Sequence, residues 1–356
     1  MATGGDVPHV MLVGQFPSGA LENSYCAAFE ELDWQVVKFD IMESVHRHVR
    51  AGHAGRFLTL FVPVEPWIRK ASRELTLRVL DLEPQLVVTF GHYPIRVGAL
   101  AQIRSSVPAK LVHVWPDTMV NWTTHLTACL PVYDLVATYS RATVPIFRDL
   151  GARAVAWIPL AGDPALHPKA EGSEVYPGKF AADVSFIGAW RPEREAVLSQ
   201  LQGFDLKIWG PEWGRRCRHN RTILKAWQGC SLYGLDFARA VTGSKVSLNI
   251  IDPSNYPAAN MRFFEIPVVG GLQVSSACPE MIELFRHGEH VFYYDRPAEL
   301  QRHLETILVD DQLRERVAGA AHQKVLAEHT YLNRVRSLLR YLEGDTIEEE
   351  SLPRTG

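Results

Sequence analysis

Residues 183–194 read DVSFIGAWRPER, a stretch in which an apolar run meets a charged one at Gly188. The run Val184–Ile187 predicts a strand that is covered on both faces of a sheet. The glycine permits close backbone approach, and a helix N-terminus beside Arg191 and Arg194 would suit a diphosphate. The commoner alternative is an ordinary strand-to-helix turn with solvated arginines, and the stretch alone leaves both interpretations open.

Strands of the same kind alternate with amphipathic helical stretches through the rest of the chain. This alternation predicts parallel sheets covered by helices, and therefore an α/β fold with two Rossmann-like domains. Six strands are predicted in the first half, at His9–Val13, Gln35–Phe39, Leu86–Phe90, Leu111–Trp115, Leu135–Thr138 and Ala154–Ile158. Five are predicted in the second half, at Asp183–Ile187, Asp205–Trp209, Val246–Ile250, Leu272–Val274 and Val291–Tyr294.

Domain boundaries follow from changes in composition. We expect an N-terminal Rossmann-like domain over residues 1–165 and a C-terminal one over residues 181–342. A linker is predicted over residues 166–180, where proline, glycine and charged residues concentrate. Residues 343–356 form an acidic, polar tail in which we expect fraying.

Composition restricts the classes of partner. Of the 356 residues 47% are apolar and the net charge is −3, which fits a packed globular enzyme without the broad basic field that nucleic acid requires. The five cysteines are an odd number without a Cys-x-x-Cys pair, so neither a disulfide framework nor a zinc site is indicated, and a reducing cytoplasm fits best. No run approaches the ~20 apolar residues that span a bilayer, so no transmembrane segment is expected.

A charged pair interrupts the apolar stretch 260–271, which ends at two glycines. Burying Arg262 or Glu265 without a partner would be costly. The two residues are three positions apart, so they can pair on one face of a helix. A structural ion pair and a ligand site both remain open at this point.

A series of short motifs runs through the second half in a fixed order. They are Phe186-Ile187-Gly188 with Arg194, then KIWGPEW at 207–213, SLN at 247–249, RFFE at 262–265, GG at 270–271, FRHGE at 285–289 and HTY at 329–331. Together, from Asp183 to Leu339, they resemble the spore-protein CgeB/YkvP-type glycosyltransferases. The resemblance implies the GT-B architecture, with two Rossmann-like domains facing each other across a cleft, a nucleotide-sugar donor on the C-terminal domain and an acceptor on the N-terminal domain.

The resemblance also assigns roles to residues of the donor domain. Glu265 takes the position whose carboxylate binds the donor ribose hydroxyls, and Arg262, Arg191 and Arg194 become candidates to neutralise the departing diphosphate. The remaining donor-binding candidates are Gly188, Gly210, Asn260 and Trp209. Trp209 is a candidate because it ends a predicted strand and its ring could stack on a base or a sugar. Related retaining enzymes often carry an earlier carboxylate eight positions before the glutamate. This chain has Pro257 there, which leaves the stereochemical outcome open.

Candidates for a base that activates the acceptor come from the first domain. Asp117 follows the predicted strand Leu111–Trp115, and His92 follows Leu86–Phe90, so both would lie at the carboxyl edge of the sheet. Asp117 is the first candidate and His92 the second, although each residue could simply cap or line its turn. Gly14 and Gln15 begin the glycine loop that enters the first helix at the same edge.

One concentrated basic cluster stands out from an otherwise mixed charge pattern. It consists of Arg215, Arg216, Arg218, Arg221 and Lys225. An anionic acceptor or a lipid surface could bind these side chains, so peripheral membrane contact stays open, but a solvated face is the commoner meaning of such a run.

The function predicted from these observations is transfer of a sugar, a hexosyl or related group, from a nucleotide-diphosphate sugar to an acceptor nucleophile. We expect a UDP-sugar as the substrate and no cofactor. The resemblance implies that no metal is required, and in agreement no Asp-x-Asp motif falls at a predicted strand end, so arginines and a helix terminus would stabilise the leaving group. The acceptor could be a glycan, a protein, a lipid or a small metabolite. Two alternatives are a nucleotide-sugar epimerase of the same fold and a non-catalytic nucleotide-sugar-binding partner subunit.

Overall fold

The protein is described by a computed structural model, which covers residues 7–49, 52–53, 64–169 and 177–344. The described residues divide into two units. The first unit contains the residues up to Pro159 and those from Leu332 onward, and the second contains Leu160–Tyr331.

The first unit is built on a six-stranded parallel sheet with the order β2-β1-β3-β4-β5-β6. Its strands are β1 (His9–Gly14), β2 (Gln35–Asp40), β3 (Leu86–Phe90), β4 (Lys110–Trp115), β5 (Leu135–Thr138) and β6 (Val155–Trp157). Its helices are α1 (Leu21–Glu31), α2 (Ile41–Arg47), α3 (Glu65–Leu82), α4 (Val97–Ser106), α5 (Thr124–Cys129) and α6 (Thr143–Asp149), with short 3₁₀ turns at Met119–Asn121 and Leu130–Val132.

The second unit contains a five-stranded parallel sheet with the order β11-β10-β9-β7-β8. Its strands are β7 (Ala182–Ile187), β8 (Leu206–Trp209), β9 (Ser244–Asn249), β10 (Gln273–Ser276) and β11 (Phe292–Tyr294). Its helices are α7 (Pro177–Phe180), α8 (Pro192–Leu198), α9 (Trp213–Arg216), α10 (Arg221–Ala226), α11 (Gly234–Thr242), α12 (Arg262–Val268), α13 (Pro279–Ile282), α14 (Pro297–Ile307) and α15 (Asp311–Glu328), with a 3₁₀ turn at Pro253–Asn255.

Burial explains why the central strands are apolar at successive positions. Every residue of Val10–Val13 in β1 is fully buried, and so are Val87 and Val88 in β3. Helices therefore cover both faces of the sheet, as the uninterrupted apolar runs predict. All eleven predicted strands are present, within a few residues of the predicted ends. The α/β prediction is confirmed.

The last helix, α16 (Tyr331–Glu343), departs from the predicted order of the chain. From Leu332 onward it belongs to the first unit, whereas the sequence placed everything up to residue 342 in the second domain. Arg334 of this helix is buried and its charge acts on Tyr25 of α1, so the helix packs in the first unit. The division between the units falls after Pro159, ahead of the predicted linker at 166–180.

No helix in the described part of the chain has both the length and the apolar character needed to cross a membrane.

Candidate functional site

The strand order of the second sheet reverses between β7 and β9. From β7 the chain first adds the edge strand β8 on one side of β7, and then returns to add β9 on the other side of β7. In open parallel sheets, ligands bind at such a switch point, in the crevice beyond the carboxyl ends of the strands. Residues 188–194 follow β7, and residues 250–252 follow β9. These two loops flank the candidate site.

Arg194 connects the two loops. Its Nη1 donates to the carbonyl oxygen of Ala189 at 2.8 Å, and its Nε donates to that of Ile250 at 3.2 Å. Arg191 extends from the same loop and pairs with Asp252 at 3.0 Å, with about half of its side chain exposed. Two predicted diphosphate-binding cations therefore reach the switch point.

Two glycines, Gly188 and Gly210, allow the backbone segments that follow β7 and β8 to approach each other closely next to these arginines. The N–H of Gly188 donates to the carbonyl oxygen of Trp209 at 2.9 Å. Gly210 has φ of 141°, and a Cβ atom there would overlap the carbonyl oxygen of Gly188. A Cβ on Gly188 would lie 3.1 Å from the ring of Phe186. Both residues are therefore glycine because of the local packing, and they place the arginine loop at the strand ends.

Glu265 is buried on α12 and forms an ion pair with Arg262, with 2.6 Å between Oε2 and Nη1. Its other oxygen lies 3.4 Å from Nε2 of His167. Burial opposes the charged carboxylate, but Arg262 and His167 outweigh it, so the pKa of Glu265 is lowered. The carboxylate is thus held ionised, and Arg262 and His167 occupy two of its roughly four lone-pair sites.

The guanidiniums of the site share one electrostatic environment. Burial lowers the pKa of Arg194, and the positive charges of Arg191 and Arg262 lower it further, whereas Asp252 raises it. Arg262 also lies over the ring of Phe237, with Cζ 4.4 Å from the ring centroid. Three cations and the buried carboxylate of Glu265 therefore lie in one region of the second unit.

Asn260 fixes the helix that carries the ion pair. Its Nδ2 donates to Oδ1 of Asn249 at the end of β9, at 2.9 Å. Its Oδ1 accepts the N–H of Phe263 at 3.1 Å in the first turn of α12. Asn260 therefore positions α12 relative to the strand.

Trp209 does not have the exposed ring that stacking on a ligand requires. It is 1% exposed, and its ring lies 6.1 Å from that of Phe180. The structure thus corrects the role predicted for this residue: its position at a strand end was right, but the side chain alternates to a covered face of the sheet.

The predicted residues of the first unit follow β1, β3 and β4. Both oxygens of Asp117 accept hydrogen bonds within their own turn, from Thr118 N–H at 2.7 Å and from Asn121 Nδ2 at 2.6 Å. His92 is exposed and stacks on Tyr93, with 5.6 Å between the ring centroids. The contacts of Asp117 are those of a turn cap.

Gly14 and Gln15 contact a buried carboxyl that the sequence did not indicate. A Cβ on Gly14 would lie 2.7 Å from Cγ of Glu22, and the N–H of Gln15 donates to Oε1 of Glu22 at 3.4 Å. Burial raises the pKa of Glu22, although hydrogen bonds from Gln15 and Tyr93 favour the charged form. Close approach to Glu22 is why glycine occupies position 14.

Sequence reasoning also missed His167 and Glu280 in the second unit. His167 lies within the predicted linker, yet it is 3% exposed and touches both Glu265 and the ring of Phe237. Glu280 is 7% exposed and its N–H donates to the carbonyl oxygen of Pro257 at 3.4 Å. The backbone of the buried residue Glu280 therefore contacts Pro257, the position at which related retaining enzymes often carry a carboxylate. No local pattern marks either residue, since the partners are distant in sequence.

Among the described residues, no three histidine, cysteine, aspartate or glutamate side chains are grouped so that they could hold a metal ion.

Comparison with solved structures shows the fold. Anabaena HepE in complex with UDP-glucose is 16% identical, with a TM-score of 0.63, covering 94% of this chain and 99% of that chain. Sucrose-phosphate synthase from Thermosynechococcus elongatus is 12% identical, with a TM-score of 0.66, covering 95% and 99%. A putative UDP-N-acetylglucosamine 2-epimerase from Listeria monocytogenes is 11% identical, with a TM-score of 0.53, covering 97% and 99%. The predicted GT-B fold class is confirmed.

At the level of sequence, the second half of the chain matches the model of a protein family. No curated protein matches the chain. Residues 192–340 match the model of a glycosyl transferase-like family, and this region includes Arg194, Arg262 and Glu265. The prediction that the protein is a glycosyltransferase is thereby confirmed.

Proposed function

We propose that the protein transfers a sugar from a nucleoside-diphosphate sugar, a UDP-sugar in the first instance, to an acceptor hydroxyl without a metal ion, as a CgeB/YkvP-type enzyme. The observation that carries this proposal is Arg194, which joins the loops after β7 and β9 at the switch point of the second sheet. Arg191 and Arg262 act on the same point electrostatically. A nucleoside diphosphate has the negative charge that such a cluster favours.

The proposed chemistry uses these charges at the leaving group. As the bond between the sugar's anomeric carbon and the diphosphate oxygen breaks, negative charge grows on that oxygen, and the three guanidiniums stabilise it. The acceptor oxygen forms the new bond and passes its proton to a base, for which Asp117 is the first candidate and His92 the second. Glu265 accepts hydrogen bonds from the ribose hydroxyls through its remaining lone pairs.

The solved relatives support a uridine nucleotide as the donor. HepE is described in complexes with UDP-glucose, with UDP, and with UDP and glucose.

A two-stage experiment tests the proposal. Thermal unfolding is first measured with UDP, GDP, CDP and their sugar conjugates, since a ligand at 100 times its Kd stabilises the folded protein by ~2.7 kcal/mol. A shift with at least one nucleoside diphosphate is expected, and the absence of any shift would contradict the proposal. The stabilising sugar nucleotide is then incubated with an acceptor panel, and the products are identified by NMR.

The same NMR experiment without an acceptor tests the epimerase alternative, for which the structural similarity to the putative Listeria epimerase is the motive. Transfer requires an acceptor other than water, whereas an epimerase changes the sugar of the donor alone. Formation of an epimer in the acceptor-free sample would therefore replace the proposed function with the alternative.

A further inference from the structure

Five cationic side chains form one exposed face on the second unit, and none of them belongs to the site described above. This basic face consists of Arg215, Arg216, Arg218, Arg221 and Lys225, all of which are exposed. It lies on α9, on α10 and on the turn between them, beyond the carboxyl end of the edge strand β8.

The apolar side chains of the same two helices fix which way the cations point. Trp213, Cys217 and Ile223 are fully buried and belong to the core of the second unit. The ring of Trp227 packs against Gly214, where a Cβ would overlap it. Because the inner face is held in this way, the long cationic side chains extend from the opposite face into solvent.

Few of these cations form ion pairs with other groups of the protein. Arg215 and Arg216 share the single carboxylate of Glu212, with Arg215 Nε donating at 3.1 Å and Arg216 Nε lying 3.6 Å away. The side chains of Arg218, Arg221 and Lys225 form no ion pair and no hydrogen bond with any residue that the structure describes. Their charge is therefore available to an external partner.

The charge of this segment is opposite to that of the remaining chain. Residues 212–225 contain five cations and one carboxylate, which gives a net charge of +4. Since the whole chain carries −3, the other residues carry −7. The neighbouring carboxylate Glu195 is largely buried and is already bound by Trp190, Asn220 and His219. The segment thus forms a local positive field on an acidic protein.

We propose that the basic face binds the surface of a membrane containing anionic phospholipids. An extended, exposed face of long cations, of which Arg218, Arg221 and Lys225 form no ion pair with the described residues, suits a broad anionic surface, whereas a small anion requires a concave site. Among the described residues 212–225 no tryptophan, tyrosine or phenylalanine ring is exposed, and the exposed His219 ring already pairs with Glu195, so the free rings on which single-stranded nucleic acid would stack are lacking.

The face also adjoins the candidate donor site. Cζ of Arg216 lies 5.1 Å from the centroid of the Trp190 ring, and Trp190 precedes Arg191 in the loop after β7. Binding through this face would hold the carboxyl edge of the second sheet next to the lipid headgroups. Membrane binding itself needs no sugar transfer, so the inference stands or falls independently of the proposed function.

Sedimentation with lipid vesicles tests the inference on the full chain. Vesicles of phosphatidylcholine alone are compared with vesicles containing phosphatidylglycerol at roughly a third of the lipid, at low and at high salt. Each Lys or Arg near an anionic surface contributes about fivefold in affinity. The variant Arg218→Glu/Arg221→Glu/Lys225→Glu is expected to bind anionic vesicles at least about 100-fold more weakly, and high salt should release the unmodified protein.

A matched control reverses three exposed cations that are scattered over the chain, as Lys110→Glu/Arg302→Glu/Arg316→Glu. This control has the same net charge as the first variant, and we expect it to keep most of the vesicle binding. Equal loss in both variants, equal binding to neutral vesicles, or binding to soluble polyphosphate but not to vesicles would each overturn the proposal. Unfolding curves check that both variants fold, which is expected for the first because the side chains of Arg218, Arg221 and Lys225 are exposed and form no ion pair or hydrogen bond with the described residues.

Discussion

Replacing Glu265 with glutamine tests the central ion pair with the smallest change of shape. The substitution removes the charge that lies 2.6 Å from Arg262 and 3.4 Å from His167. A hydrogen bond to a charged group is worth ~1.5 to 3 kcal/mol, so the Kd of a donor whose ribose binds this carboxylate should rise about 10- to 150-fold.

The same substitution affects stability, because Arg262 keeps its charge without a carboxylate. Breaking a buried ion pair costs ~3 to 5 kcal/mol. Arg262 is 24% exposed, so solvent offsets part of this cost and we expect about 3 kcal/mol, the lower end of that range. The lowered pKa of Glu265 means that its contribution is present above the ordinary value of 4.5 and is lost as the pH falls through the folded-state value.

Calorimetry with UDP and UDP-glucose gives the Kd, and urea unfolding gives the free energy. The matched control is Glu289→Gln, which removes an exposed carboxylate that pairs with Arg286 at the same three-residue spacing. In this control, neither the binding free energy of the donor nor the free energy of unfolding should change by more than a few tenths of a kcal/mol. If Glu265→Gln lowers the stability but leaves the Kd of UDP within twofold, the pair is purely structural and the ribose assignment is refuted.

Three further outcomes are expected. Gly210→Ala should destabilise the second unit by ~2 kcal/mol or more in urea unfolding, because its Cβ would overlap Gly188 at φ of 141°, whereas Gly319→Ala, in open space on α15, should stabilise it by about 1 kcal/mol. Burial lowers the pKa of His113 to about 3, so only the unfolded chain gains a proton just below pH 6.5. The free energy of unfolding of the first unit should therefore fall by up to ~1.4 kcal/mol for each unit by which the pH drops below 6.5. His113→Phe should abolish this fall in unfolding curves. Asp117→Asn should lower kcat by a factor of ~100 or more at unchanged donor Kd if Asp117 is the base, and an unchanged kcat would leave it as a turn cap.

The strands were readable from the sequence because burial on both faces imposes an apolar residue at nearly every position. Val10–Val13 and Leu86–Phe90 show this, and their ends were predicted to within a few residues. The pairing of Arg262 with Glu265 was also accessible, since three-residue spacing on a helix brings two side chains together. Local periodicity sufficed for both.

Whether the ring of Trp209 is exposed or covered could not be predicted from the sequence in the same way. A strand position tells which residues alternate, but not which face lies against another helix. Trp209 is covered by its own unit, so its ring is part of the packing and not of a binding surface. Likewise, the sequence could not place the last helix, because amphipathicity shows that Val335 and Leu338 are buried but not against which unit.

The sequence by itself determined the α/β class, the eleven strands and the charged residues that follow them, because each depends on neighbours within a few positions. Only the tertiary structure decided that His167 lies against Glu265, that Glu280 lies beside Pro257 and that Arg194 joins two loops. These contacts join residues far apart in the chain. Their geometry depends on how the whole chain closes around its sheets, which no local pattern of residues specifies.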